Sequence, residues 1–199
     1  MARVVVRRAR RGSRRRSPAR SPRVQNVGKR VAVLGIDAGG TTGLCWWHGV
    51  VLGGIKETLI DGRLGFGFEQ VDCGRGTVAG EREGAERICQ RWVDLEAEWT
   101  LENVAVPNRY LVIEDFVLRA KVGSTQRVGL SSARIGALVE GMLVSRVPGS
   151  SVARYSPSRS KSFATSDRLK NWGLWCRAAP HSRDAAKQVA LHVATLVQS

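Results

Sequence analysis

Residues 31–43 read VAVLGIDAGGTTG. The opening VAVLGI is β-branched or apolar apart from one glycine, the composition of a strand buried on both faces, and it runs into an aspartate and a glycine-rich turn. A carboxylate at the end of such a strand is costly unless a partner or a cation meets it, so Asp37 marks the point where fold and chemistry meet. Folded structure is expected from Arg30 onward. Gly39, Gly40, Thr41, Thr42 and Gly43 predict a tight turn into LCWWHGVVLGG (44–54), the second strand of a hairpin, with a third strand between Ile55 and Val71.

Working outward, residues 78–99 place Ala85, Ile88, Trp92 and Leu95 at helical spacing among charges, which predicts an amphipathic helix packed on a sheet. YLVIEDF (110–116) is another buried-strand run, ending in two adjacent carboxylates, and is followed by a basic loop, VLRAKVGSTQRVGL (117–130). Ser131 or Ser132 is expected to cap a helix whose apolar face holds Ile135, Leu138, Val139, Met142 and Leu143, stopped by Pro148 and Gly149. VARYS (152–156) predicts a fifth strand. After a basic stretch the helix HSRDAAKQVALHVATL (181–196) carries Val189, Val193 and Leu196 on one stripe. The expected architecture is α/β: three antiparallel strands, then parallel ones, flanked by helices.

The formal net charge is +15, and such an excess points to a polyanionic partner, because Lys and Arg neutralise phosphates and release counterions. Residues 1–30 hold 12 Lys and Arg and no Asp or Glu, leaving 20 basic against 17 acidic side chains in the rest. Residues 1–29 are therefore expected to form a disordered basic arm, either a phosphate tether or a dispensable extension, and residues 30–199 one domain of ordinary size. No apolar run reaches the roughly 20 residues of a membrane span, and no secretory leader is expected, which predicts a cytoplasmic protein. Cys45, Cys73, Cys89 and Cys176 show no CxxC pairing, so neither zinc nor a disulfide framework is indicated.

Asp37, Glu114 and Asp184 stand where an acid is most costly as structure: two strand ends and the start of the last helix. Any one of them alone can be a solvated turn or a helix-capping carboxylate. Converging carboxylates without matching cations suit Mg²⁺, with Mn²⁺ as a substitute. If the strands bearing Asp37 and Glu114 are neighbours, the acids can hold two ions about 4 Å apart, an arrangement that serves phosphodiester hydrolysis. Asp115 competes with Glu114, because only one of two adjacent strand residues can face the site.

GIDAGGTTG (35–43), LVIEDF (111–116) and HSRDAA (181–186) resemble, in order and spacing, the three acidic motifs of RuvC-like Holliday junction resolvases of the ribonuclease H-like superfamily. RLKNWGL (168–174) before the last motif is most similar to the RuvC-like resolvases of actinobacteriophages. Two features depart from the family pattern: Ala38, where RuvC proteins usually carry Pro or Ser, and the basic arm. The resemblance implies a ribonuclease H-like fold and a metal-dependent endonuclease acting on branched DNA. Asp37, Glu114 and Asp184 would be its catalytic metal ligands, preferring Glu114 over Asp115, and His181 would be a fourth ligand or a proton carrier. Products would carry 5′ phosphate and 3′ hydroxyl ends. The helix from 131 to 146 resembles the element that pairs two RuvC subunits, which implies a homodimer, although its apolar face can equally cover its own sheet.

Arg119, Lys121, Arg159, Lys161, Arg168 and Lys170 are the candidate DNA contacts, with Lys161 foremost; each alone can also be a solvated surface charge. Trp46, Trp47, Trp172 and Trp175 can stack on unpaired bases, with packing as the stronger expectation. Three alternatives stay open: a nuclease for flaps, hybrids or single strands, a junction-binding protein that does not cut, and an ATPase or sugar kinase using GIDAGGTTG as a phosphate loop.

Overall fold

The computed structural model describes residues 28–101, 108–115, 125–177 and 179–199; most of the basic arm, and Arg119 and Lys121, lie outside the described residues. One five-stranded sheet organises the chain, from strands β1 (Arg30–Asp37), β2 (Thr41–Val50), β3 (Arg63–Asp72), β4 (Asn108–Glu114) and β5 (Ser150–Tyr155), in the order β3-β2-β1-β4-β5. β1 pairs antiparallel with β2, and β2 with β3; β1 with β4 and β4 with β5 are parallel. This is the expected mixed sheet, with β1 at its centre.

Among the described residues, six α-helices join the sheet: α1 (Ile55–Ile60), α2 (Val78–Leu101), α3 (Thr125–Arg146), α4 (Pro157–Phe163), α5 (Ser166–Asn171) and α6 (Pro180–Gln198). Successive strand residues point to opposite faces, so β1 feeds two cores. Ala32, Leu34 and Ile36 join Leu111 and Ile113 of β4 under α2 and α3, where Ile88, Trp92, Ile135 and Val139 are buried. Val31 and Val33 join Val112 under α6, whose Ala185, Ala186, Val189, Ala190 and Val193 form a small-residue face against the sheet. The apolar face of α3 is thus used on its own sheet. Across the first core, Arg134 of α3 donates two bonds, both 2.7 Å, to the buried Glu81 of α2, and the Ser131 hydroxyl adds a third at 2.6 Å.

Three expectations need correction. Ile55–Ile60 is a helix, not part of the third strand, which starts at Arg63. The buried Thr58 hydroxyl bonds both backbone groups of Leu52, and Leu59 packs into the second core, so tertiary contacts decide the conformation of a six-residue segment. The helix expected to be capped at Ser131 or Ser132 begins at Thr125 instead; Ser131 lies within it, and its hydroxyl serves Glu81. Thr41, Thr42 and Gly43 belong to β2 rather than to the turn, Gly43 standing opposite Asp37. The basic stretch after β5 folds into α4 and α5, capped by the Ser156 and Thr165 side chains accepting from Arg159 and Arg168 backbone N–H groups. Among the described residues no helix is long and apolar enough to cross a membrane.

Candidate active site

The alternation that builds the two cores also sets the direction of the acids. Asp37 follows Val31, Val33 and Gly35 on the α6 side of β1, and Glu114 follows Val112 on the same side of β4. Parallel pairing of Ile36 with Ile113 brings the two carboxylates to the same end of neighbouring strands. Glu114 is 7% exposed, whereas Asp115, one residue on, is exposed, which resolves the competition between them in favour of Glu114 as the inward-facing acid.

Two glycines let α6 descend onto this end of the sheet. A Cβ at Gly35 would lie 2.5 Å from the Ala185 carbonyl oxygen, and one at Gly43 would lie 2.1 Å from the His181 carbonyl carbon. No other residue permits this approach. Its result is a contact between the third motif and the first: Nδ1 of His181 lies 3.0 Å from Oδ2 of Asp37, and because an ionised carboxylate only accepts, the ring N–H donates. The Ser182 hydroxyl fixes the same turn by donating to the Glu69 carbonyl at 2.7 Å. The backbone of GIDAGGTTG is therefore packed under a helix at Gly35 and Gly43, which is poor geometry for the phosphate loop of an ATPase.

Electrostatically the acids divide into two groups. Burial pushes the Glu114 carboxyl up to about 7, helped by the charge of Asp37 and opposed by Lys161. Burial also raises Asp37, against the hydrogen bond from His181. The charge of Asp184 pushes both carboxyls in the same upward direction. At Asp184 burial acts in the same upward direction, but the hydrogen bond and charge of Lys187, joined by Lys161, outweigh it and hold the group below its ordinary value. Lys187 Nζ lies 2.5 Å from Oδ1 of Asp184 and Lys161 Nζ 3.5 Å from Oδ2.

Asp37 and Glu114 thus form a pair of desolvated oxygen donors with no Lys or Arg in ion-pair contact among the described residues, and that donor chemistry fits Mg²⁺ or Mn²⁺. Asp184 is matched to two ammonium groups, and among the described residues no group of three or more His, Cys, Asp or Glu side chains is gathered to hold an ion. Lys187 was not singled out by the sequence reading. The signal available was its i+3 spacing from Asp184, which places both on one helix face.

Among the described residues, the other expected DNA contacts are Arg159, Arg168 and Lys170, and none of them forms an ion pair with the three acids. Arg159 lies over the Tyr155 ring, and Arg168 donates to the Phe163 carbonyl at 2.5 Å. Both line a cavity of about 400 Å³ with Phe163, Leu191, Thr195 and Gln198, beside the C-terminal half of α6. Lys170 pairs with Asp167 at 3.5 Å and lies over Trp175. Trp47 is fully buried, and Trp46, Trp172 and Trp175 are partly buried against the cores, with Arg91 stacked on Trp46.

No family model and no curated protein sequence matches the chain. Solved structures do. RuvC of T. thermophilus in complex with a Holliday junction substrate matches with a TM-score of 0.51 at 16% identity, over 81% of this chain and 92% of that one. A second Thermus thermophilus RuvC structure matches with a TM-score of 0.46 at 14% identity, over 84% of this chain and 98% of the other. The fold of this chain is the ribonuclease H-like α/β fold of RuvC.

Proposed function

We propose that the chain is a divalent-metal-dependent endonuclease that cuts branched DNA, a RuvC-like resolvase. The observation that carries this reading is the pairing of strands that sets Asp37 and Glu114 on adjacent strand ends, desolvated and with no Lys or Arg in ion-pair contact among the described residues, under the helix that carries His181 and Asp184. The fold match to a RuvC that was solved with a Holliday junction supports it.

In this reading Asp37 and Glu114 hold the metal, and Asp184 and His181 complete the site. A bound divalent ion supplies Lewis acidity to the scissile phosphate and lowers the pKa of the attacking water. His181, donating to Oδ2 of Asp37, fixes that carboxylate and is placed to hold a proton beside it. Lys161 contributes positive charge where the scissile phosphate must lie. Attack of water on phosphorus breaks the bond to the 3′ oxygen, which leaves with a proton, giving 5′ phosphate and 3′ hydroxyl ends.

Several finer points belong to the same proposal. A four-way junction needs two symmetric cuts, which suits a homodimer. On α3, Leu130 and Val144 are 42% and 51% exposed, and their spacing puts both on one outward stripe where a second copy can pack. Arg159, Arg168 and Lys170, with Arg119 and Lys121, would meet DNA arms, and the arm 1–29 would add sequence-blind phosphate binding. Kinship with phage resolvases rests on RLKNWGL, which spans most of α5 and the turn after it.

The test is cleavage of labelled four-way junction, plain duplex, RNA–DNA hybrid and single strand with Mg²⁺ or Mn²⁺, beside Asp37→Asn, Glu114→Gln and Asp184→Asn proteins. Paired nicks in the junction alone, lost in all three variants while junction binding persists, are expected. Cleavage that survives an acid substitution would sink the proposed site; preference for another substrate would change the assigned function.

A further inference from the structure

The two lysines at Asp184 bear on how many ions the site can accept. Both carboxylate oxygens of Asp184 are engaged, Oδ1 by Lys187 at 2.5 Å and Oδ2 by Lys161 at 3.5 Å. Lys187 is held on the same helix turn as its partner, and its side chain is only 17% exposed. Lys161 comes from α4, across the site, and its charge reaches Asp37 and Glu114 as well as Asp184. Among the described residues its charge is the one cationic influence common to all three acids, and its ammonium group is in contact with Asp184.

We infer that this site takes one divalent cation, on Asp37 and Glu114, with the Lys161 ammonium group standing in for a second. The inference rests on the nuclease reading of the same residues and replaces the two ions expected from sequence. Charge supports it. Three carboxylates and two lysines leave one net negative charge, and one divalent ion plus one phosphodiester brings the site to neutrality. A second ion would leave two uncompensated positive charges in a partly desolvated site, which is strongly unfavourable. Lys161 also has donors to spare, since an ammonium carries three N–H groups and its contact to Asp184 is long, so it can bind a non-bridging phosphate oxygen while keeping its place.

Mn²⁺ titration of the full chain, followed by electron paramagnetic resonance and calorimetry, reads the stoichiometry without reference to activity. Wild type is expected to bind one ion per chain, lost in Asp37→Asn, with cleavage first order in Mn²⁺. Lys161→Met should admit a second ion and tighten the first by about tenfold, as expected for removing a nearby unit charge; Lys161→Arg should stay at one. Two ions in wild type, both lost in Asp37→Asn, would overturn the inference and leave the nuclease reading intact, as would a Lys161→Met protein that still binds one. Absence of both saturable Mn²⁺ binding and cleavage in wild type would overturn the nuclease reading and the inference with it.

Discussion

Replacing Gly43 with alanine places a methyl carbon 2.1 Å from the His181 carbonyl carbon, 2.3 Å from its oxygen and 2.4 Å from the Ser182 nitrogen. All three atoms are backbone, so no rotamer change relieves the clash. An ordinary contact starts near 3.4 Å, and the N-terminus of α6 must therefore lift by the difference, about 1.3 Å. Overpacking of this kind costs about 1–3 kcal/mol. The lift also carries His181 Nδ1 away from Asp37 Oδ2, now 3.0 Å away, beyond hydrogen-bond distance, and moves Asp184 with it. Misplacement by about 1 Å typically lowers a catalysed rate on the order of 100-fold. Urea unfolding gives the first quantity and single-turnover junction cleavage the second. Unchanged midpoint and rate in Gly43→Ala would refute the role of this glycine in seating α6. A protein destabilised as expected but cleaving normally would refute the dependence of the site on that seating.

Gly141 provides the opposite case: nothing lies within 4 Å of its notional Cβ inside α3, so Gly141→Ala should stabilise by about 0.5–1 kcal/mol in the same urea assay. Glu114, raised from 4.5 to about 7, keeps a proton in the native state that the unfolded chain has lost; that stabilisation is complete below pH 4.5 and disappears as pH rises through 7. In chelator at pH 8, Glu114→Gln should therefore be more stable than wild type by about 2–3 kcal/mol and show no further gain on adding Mg²⁺, both measured by denaturant midpoint. His192, lowered to about 4 by burial, has the opposite sign: its contribution is present above pH 6.5 and lost as pH falls through 4. His192→Gln should flatten this acid limb, and an unchanged pH profile of stability would contradict the assignment.

The parts of this architecture that were legible in the sequence are those in which one local signal and one tertiary need coincide. VAVLGI and YLVI are apolar on both faces because β1 and β4 lie inside the sheet, and the α6 stripe is apolar because it covers them. Asp37, Glu114, His181 and Asp184 could be named from motifs, yet only the fold shows that Asp37 and Glu114 share one end and one face of the sheet and that His181 meets Asp37. Other features needed three dimensions. Ser131 has the chemistry of a cap but spends it on Glu81, a residue fifty positions away. Ile55–Ile60 is too short for its own pattern to outweigh packing. Lys161 was read as a DNA contact because a basic residue in a basic stretch carries no mark of the carboxylate it will meet.

That α6 follows all five strands in the chain also bears on the order in which the site is assembled during synthesis. Until α6 has left the ribosome and docked, Val31, Val33 and Val112 form an uncovered apolar face, and Asp37 and Glu114 have neither His181 nor Asp184 beside them. The pairing of Ile36 with Ile113 already delays the sheet by its long loop closure. A chain in which α6 has not yet docked therefore exposes this face to chaperones and lacks the contact between His181 and Asp37.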